Sequence, residues 1–279
     1  MKKNLCKKTL ALLLALLMLA LALVGCSAKS ATADASQSLL QKVLNSGKIV
    51  VTLNLGNEPW GYTDENGEYG GMAVELIRGF ADQIGVQAEF SPLEFSSMIP
   101  AIQSDKADII CTNLTRKASR ATSVTFTEPV GCSYVVAVVQ KNTLTTVESL
   151  NDSNVTLTTE AGSIHEDIAK EHFPNAQMSA VNQNADAIAA LKAGRANAFL
   201  TDLSVAQAAC DADDSITIID TPIYVDTFAF AVKCDASSWT FVEAFNTYMR
   251  LIKDDGTYGK LYEQYFGEPW SPITTEVGM

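Results

Sequence analysis

Between residues 48 and 111 the apolar positions switch period, from the close runs of strands to the three-and-four spacing of helices and back. Lys48-Ile49-Val50-Val51-Thr52-Leu53 predicts a buried strand, and after the turn Glu65-Asn66-Gly67 the residues Val74, Leu76, Ile77, Phe80, Ala81 and Ile84 trace a helix that stops at Gly85. Val86 to Phe90 predicts a second strand, a short helix from about Ser96 carries Met98, Ile99 and Ile102, and Ala107 to Cys111 predicts a third strand. Alternating strands and helices of this kind predict an α/β fold with a parallel sheet.

The pattern then repeats. AIQSDKADIICT, from Ala101 to Thr112, lies beside ALKAGRANAFLT, from Ala190 to Thr201: helix end, basic residue in the turn (Lys106, Arg195), polar residue at the strand start (Asp108, Asn197), Thr at the strand end. The residues that follow are Asn113 and Asp202. The likeness is either a coincidence of two βα units or the mark of two similar lobes. Open α/β sheets bind ligands beyond the carboxyl ends of their strands. With two lobes facing each other, Thr112-Asn113 and Thr201-Asp202 are therefore expected at a shared cleft that domain closure buries.

Two further apolar runs suit strands that join the lobes, Tyr134 to Val139 leading out and Thr227 to Val232 leading back. Trp239, Phe241, Val242, Phe245, Tyr248, Met249 and Ile252 then trace an amphipathic helix, and a last helix carries Leu261, Tyr262, Tyr265 and Phe266. Aromatic stripes at helical spacing are read as core.

The N-terminus changes the picture of where the chain works. Four lysines precede an apolar run from Leu10 to Val24 that ends in Leu23-Val24-Gly25-Cys26. The run is short for a membrane span and is expected to be a secretory signal. LVGC resembles the bacterial lipoprotein box, which implies acylation of Cys26 and cleavage before it. Residues 27–38, SAKSATADASQS, are small and polar, as a tether requires. Loss of residues 1–25 leaves 254 residues with 16 basic and 32 acidic side chains, a net charge of −16. Such a balance argues against nucleic acid and against a broad anionic lipid surface. Cys111, Cys132, Cys210 and Cys234 lack metal-knuckle spacing and scaffold density, so buried free thiols are expected, and two histidines, His165 and His172, exclude a histidine-rich metal site.

The candidate chemistry lies in CTNLTRKASR, residues 111–120. Arg120, preceded by Thr112, Asn113 and Thr115, suits a carboxylate, because a guanidinium fork matches it bidentately and hydroxyl and amide groups satisfy the remaining lone pairs. Arg116 and Lys117 are expected to be solvated. Ser163 and Glu166 form the S-x-x-E pattern of a capping box, so a helix starts there and its free N–H groups favour an anion. The Ser163 hydroxyl either caps that helix or faces the ligand. Asp202 either caps the next helix or supplies the opposite charge. Paired across a cleft, Arg120 and Asp202 clamp a zwitterion such as an α-amino acid.

These residues resemble family 3 of the extracellular solute-binding proteins, the polar amino-acid receptors of ABC importers. The resemblance runs from about Gly47 to Gly267 and rests on Glu58-Pro59-Trp60, Asn66-Gly67-Glu68-Tyr69-Gly70-Gly71, Phe95 with Ile99-Pro100, Leu114-Thr115 to Arg120, Phe126-Thr127-Glu128-Pro129, Ala193-Gly194-Arg195, Asp202 and Asp255-Gly256-Thr257-Tyr258. It implies two Rossmann-like lobes joined by a two-strand hinge, the type II periplasmic-binding-protein architecture. The expected divisions are a signal at 1–25, a lipidated tether at 26–45, lobe 1 at 46–134, lobe 2 at 135–228, a return to lobe 1 at 229–270 and a tail at 271–279.

By position, Arg120 with Thr115 and the backbone near Ser163 and Ile164 is expected to take the ligand carboxylate. Asp202 and the Thr112 region take the ammonium, and Phe95 lines the side-chain pocket. The implied partners are ABC permease and ATPase subunits and a lipid-anchored membrane, with a monomeric receptor and no cofactor. The chain departs from the pattern at Asn54, where many relatives are acidic, and at Asn57, where they place an aromatic ring. Glu58 or Glu160 is available to replace the acid, and Trp60 or Tyr62 the ring. A dehydratase or lyase on the same fold, and a sensor that presents its ligand to a membrane protein, are the alternative functions.

Overall fold

The structure is a computed structural model that describes residues 37–271. The signal, the lipid site Cys26 and the tail beyond residue 271 lie outside the described residues. Helix α1, Leu39–Ser46, occupies residues expected in the tether. Its sequence LLQKVLNS sets Leu39, Leu40 and Val43 on one face against the core, the Ser38 hydroxyl accepts from the Gln41 N–H at 3.2 Å, and Gly47 ends it. The polar run before it hides this single apolar turn in the sequence.

Strand β1, Lys48–Leu53, matches its predicted span. A small ribbon of β2, Tyr62–Thr63, and β3, Tyr69–Gly70, leads into α2, Met72–Ile84, whose buried face includes Val74, Leu76, Ile77 and Phe80. Gly85 closes α2 at φ +74°, a left-handed conformation that glycine adopts without a Cβ penalty. β4, Gln87–Pro92, α3, Phe95–Gln103, β5, Ile109–Ile110, and β6, Val124–Phe126, complete the first pass through lobe 1.

The long strand β7, Gly131–Gln140, crosses to lobe 2, which continues with β8, Thr156–Glu160, α4, Ile164–His172, β9, Gln177–Val181, α5, Asn184–Lys192, and β10, Ala198–Asp202. Helix α6, Leu203–Ala212, and strands β11, Ile216–Ile218, and β12, Tyr224–Phe228, follow. The return expected as one strand is split: β12 pairs with β7 in the second sheet, and after Ala229 and Phe230 the strand β13, Ala231–Lys233, joins the first. Helices α7, Trp239–Asp254, and α8, Thr257–Phe266, pack back on lobe 1.

The sheet orders are β4-β1-β5-β13-β6 and β11-β7-β10-β8-β9, with β12 beside β7. Parallel pairing holds for β1 with β4 and β5 and for β8 with β9 and β10, whereas β7, β12 and β13 run antiparallel to their neighbours. The sheets are therefore mixed rather than parallel, because the crossing strands enter each lobe against its direction. Both faces of each sheet are covered. In β7, Val135, Ala137 and Val139 pack toward α4 while Val136 and Val138 pack toward α5 and α6, so a strand with period two reads as an unbroken apolar run.

The near-copy in the sequence is a structural repeat. The Asp108 N–H donates to the Val50 carbonyl at 2.7 Å and its Oδ2 accepts from the Val50 N–H at 2.8 Å. In lobe 2 the Asn197 N–H donates to the Thr156 carbonyl at 2.8 Å and its Oδ1 accepts from the Thr156 N–H at 2.8 Å. Each residue pins the start of its strand at two points to the neighbouring strand, so both strands deliver their last residues to the same level. Asp108 also accepts from Lys42 Nζ at 2.7 Å.

The core of lobe 1 is aromatic. Phe245 stands 5.2 Å from the Phe80 ring centre and 5.3 Å from that of Phe230. It is fully buried. Phe245→Ala is expected to cost about 3–5 kcal/mol, the range for deleting a buried aromatic ring and leaving its cavity, and urea denaturation followed by circular dichroism measures the loss.

Candidate functional site

The strand ends of the two lobes meet in side-chain bonds. Asn113, just past β5, donates from Nδ2 to Asp202 Oδ2 at 2.7 Å, and Asn54, just past β1, donates from Nδ2 to Glu160 Oε1 at 2.6 Å. Both bonds cross from lobe 1 to lobe 2, and all four residues are buried. Asn113 Oδ1 in turn accepts from Thr112 Oγ1 at 3.0 Å and from Asn57 Nδ2.

Around them lies a buried set of ionisable groups. Burial pushes Glu160 up to about 7, and the Asp202 and Glu94 charges add to this against the Asn54 hydrogen bond and His165. Burial, with the nearby Asp202 charge, also drives Asp226 well above the usual carboxylate range; Thr115, His165 and Arg120 oppose it. Asp226 accepts from Thr115 Oγ1 at 2.7 Å through Oδ2, while its Oδ1 has no partner among the described residues. Burial works against protonation of His165, but Asp202, whose Oδ1 lies 3.4 Å from Nε2, together with the Asp226 and Glu160 charges, raises its pKa overall.

Arg120 is held at the cleft by two carbonyls, Thr115 at 3.1 Å from Nη1 and Gly162 of lobe 2 at 2.9 Å from Nη2. Its guanidinium carbon lies 5.6 Å from the centre of the Phe95 ring, within cation–π range. Burial lowers its pKa, against the pull of Asp226 and Asp167.

Gly162 has φ +78°, and a Cβ there would press on Ser96 of α3 at 3.3 Å. Glycine thus supplies both the turn and the close approach of the lobes. The predicted helix begins at Ile164, but the capping box does not form, because Glu166 reaches back one residue past Ser163. Glu166 Oε2 accepts from the Gly162 N–H at 2.9 Å, whereas the Ser163 hydroxyl does not cap and lies 3.3 Å from Thr159 Oγ1. The first-turn N–H groups of α4 remain available to an anion.

Two contacts close the rim, Lys117 with Asp167 at 2.5 Å and Asn182 with Glu94 at 3.3 Å. Lys117 is therefore paired across the cleft instead of solvated, because Asp167 on the first turn of α4 comes within reach when the lobes meet; Arg116 is exposed as expected. The space left between the lobes measures about 10 Å³, the room of a single water. Any larger ligand enters only with the lobes apart.

Of the expected site residues, Asn57, Phe95, Asn113, Thr115, Ser163, Ile164 and Asp202 line this space. Asn54 and Thr112 support it, and Arg120 borders it through the Thr115 and Gly162 carbonyls. Trp60 is the exception. Its ring is buried against Phe228 and Phe266, each at 5.3 Å, and forms core rather than a wall for a ligand. Thr115 contributes a backbone carbonyl to Arg120, and its hydroxyl proton goes to Asp226.

Glu160, available in the sequence only as a replacement acid, is central, and His165, Asn184 and Thr201 join it in the lining. Asp226 was legible only as a charge interrupting the run Tyr224-Val225-Asp226-Thr227-Phe228. The four cysteines are free, but only Cys111 is buried, while Cys234 is exposed.

Glu160 makes stability depend on pH with a definite sign. Its folded pKa is raised from 4.5 to about 7, so its contribution is fully present below about 4.5 and is lost as pH rises through about 7. Glu160→Gln keeps the acceptor for Asn54 and stays neutral. The variant is expected to gain on the order of 3 kcal/mol relative to wild type between pH 4 and pH 8, read from denaturant melts at both pH values.

Residues 49–268 match the family described as bacterial extracellular solute-binding proteins, family 3. The chain is 24% identical over 273 residues to the ABC transporter glutamine-binding protein GlnH of Bacillus subtilis, covering 94% of this chain and 98% of that protein. It is 23% identical over 252 residues to the L-cystine-binding protein TcyJ of Escherichia coli K12, covering 89% of this chain and 93% of that one. Among solved structures, the ancestral amino-acid-binding protein AncCDT-1, a precursor of cyclohexadienyl dehydratase, superposes with a TM-score of 0.77 at 29% identity, over 82% of this chain and all of that one.

Proposed function

The chain belongs to the bacterial extracellular solute-binding proteins, family 3, and from that premise we propose that its cleft captures an amino acid for an ABC importer. One observation carries the reading. Asp202 lines the buried space from lobe 2, and the guanidinium of Arg120 stands at its border on lobe 1, held by the Thr115 and Gly162 carbonyls, the opposite charges a zwitterion requires. In this reading Arg120 and the first-turn N–H groups of α4 take the ligand carboxylate, and Asp202 takes the ammonium. Phe95 and Glu160 face the side chain. Opening about the β7 and β12 crossing admits the ligand, and closure presents the bound form to the permease and ATPase subunits.

The LVGC sequence supports a lipid on Cys26 that holds the receptor at the outer face of a bacterial membrane. Cys26→Ser is then expected to move the protein from the membrane fraction to the soluble one.

A second reading, a dehydratase on the same fold, has one observation in its favour. Glu160 keeps its proton to about pH 7 beside His165, as a general acid would.

Calorimetry against the twenty amino acids and L-cystine separates the two. The receptor reading expects one tight ligand, recovered unchanged; a chemically altered ligand overturns it in favour of the enzyme. Arg120→Ala is expected to weaken that binding by at least ~2 kcal/mol, the scale for truncating one partner of a buried charge pair. Unchanged affinity removes the carboxylate site from Arg120.

A further inference from the structure

The two departures from the family pattern, Asn54 and Asn57, belong to two bonds that cross the cleft: Asn54 reaches Glu160 directly, and Asn57 reaches Asp202 through Asn113. The orientation of the Asn113 amide is fixed, because its Oδ1 receives donors from both Thr112 and Asn57, which turns the Nδ2 group toward Asp202. At position 54 an acid would stand against Glu160 as a like charge; the amide at the same place donates to it at 2.6 Å. An ammonium entering the cleft looks for the same acceptors, Asp202 Oδ2 and Glu160 Oε1, and finds N–H donors already on them. At buried sites such bonds are shielded from competing water.

We propose that Asn54 and Asn113, the latter oriented by Asn57, latch the lobes, their amides taking on Glu160 and Asp202 the places a ligand's cationic group would use. The latch itself needs no ligand; only its effect on selectivity rests on the amino-acid reading of the cleft. A ligand then binds by exchange. It must offer donors that outcompete two amides, so the latch discriminates against groups that reach only one of the two carboxylates.

The test uses the mature chain carrying Cys26→Ser, stripped of small molecules by unfolding and refolding, in solution free of amino acids. Small-angle X-ray scattering is recorded for this protein, for the same chain with Asn54→Ala and Asn113→Ala together, and for Asn113→Asp, which sets a carboxylate against Asp202. The latched chain is expected to match the scattering calculated from the structure. Both variants, if folded by circular dichroism, are expected to shift to a larger radius of gyration. A wild-type curve as expanded as the variants', or variants as compact as wild type, overturns the latch. If either variant does not fold, the agreement of the wild-type curve with the structure decides. Because no amino acid is present, the outcome is independent of the ligand screen: a latched protein that binds no amino acid refutes the receptor reading and leaves the latch standing.

Discussion

A carboxylate removed from water must find donors, and this fold buries two of them at the ends of adjacent strands in one lobe. Glu160 closes β8 and Asp202 closes β10. The donors come from the other lobe, through Asn54 and Asn113. Breaking such a contact while the cleft stays dry leaves a buried acceptor without its donor, so the lobes meet with these groups paired or separate far enough for water to return. The division of labour is unequal. Lobe 2 supplies Glu160 and Asp202, β12 adds Asp226, and lobe 1 answers with neutral amides and, beside them, the cation Arg120.

That meeting is possible because both lobes are built to one plan. Asp108 and Asn197 each fix a strand start through a backbone and a side-chain bond, and each is followed four residues later by a threonine and then a site residue, Thr112-Asn113 and Thr201-Asp202. Register at the base of the strand is thereby converted into position at the cleft.

Much of this could be read in the sequence. β1 and α2 were legible because their periods are long and unbroken, and the repeat identified the strand ends before any contact was known. What was not legible depends on facing surfaces. Trp60 is aromatic and near the expected ring position, yet the turn that carries it folds it inward against Phe228. Lys117 looked solvated because Asp167 is distant in sequence. Asp226 shows in the sequence only as a charge within an apolar run, and its role follows from the pairing that brings β12 to Thr115. Helix α1 shows the converse, an element too short for its period to be distinguished from a tether.

The rim pair of Lys117 and Asp167 differs in kind from the bonds beneath it. Both side chains are more than a third exposed, so added electrolyte screens their attraction over about 8 Å at physiological ionic strength and the pair contributes little. The amide–carboxylate bonds are sealed from mobile ions. Extracellular solute-binding proteins work in a medium whose salinity the cell does not control. With the cleft's cohesion placed below its ionic rim, the balance between parted and joined lobes is buffered against changes of ionic strength outside.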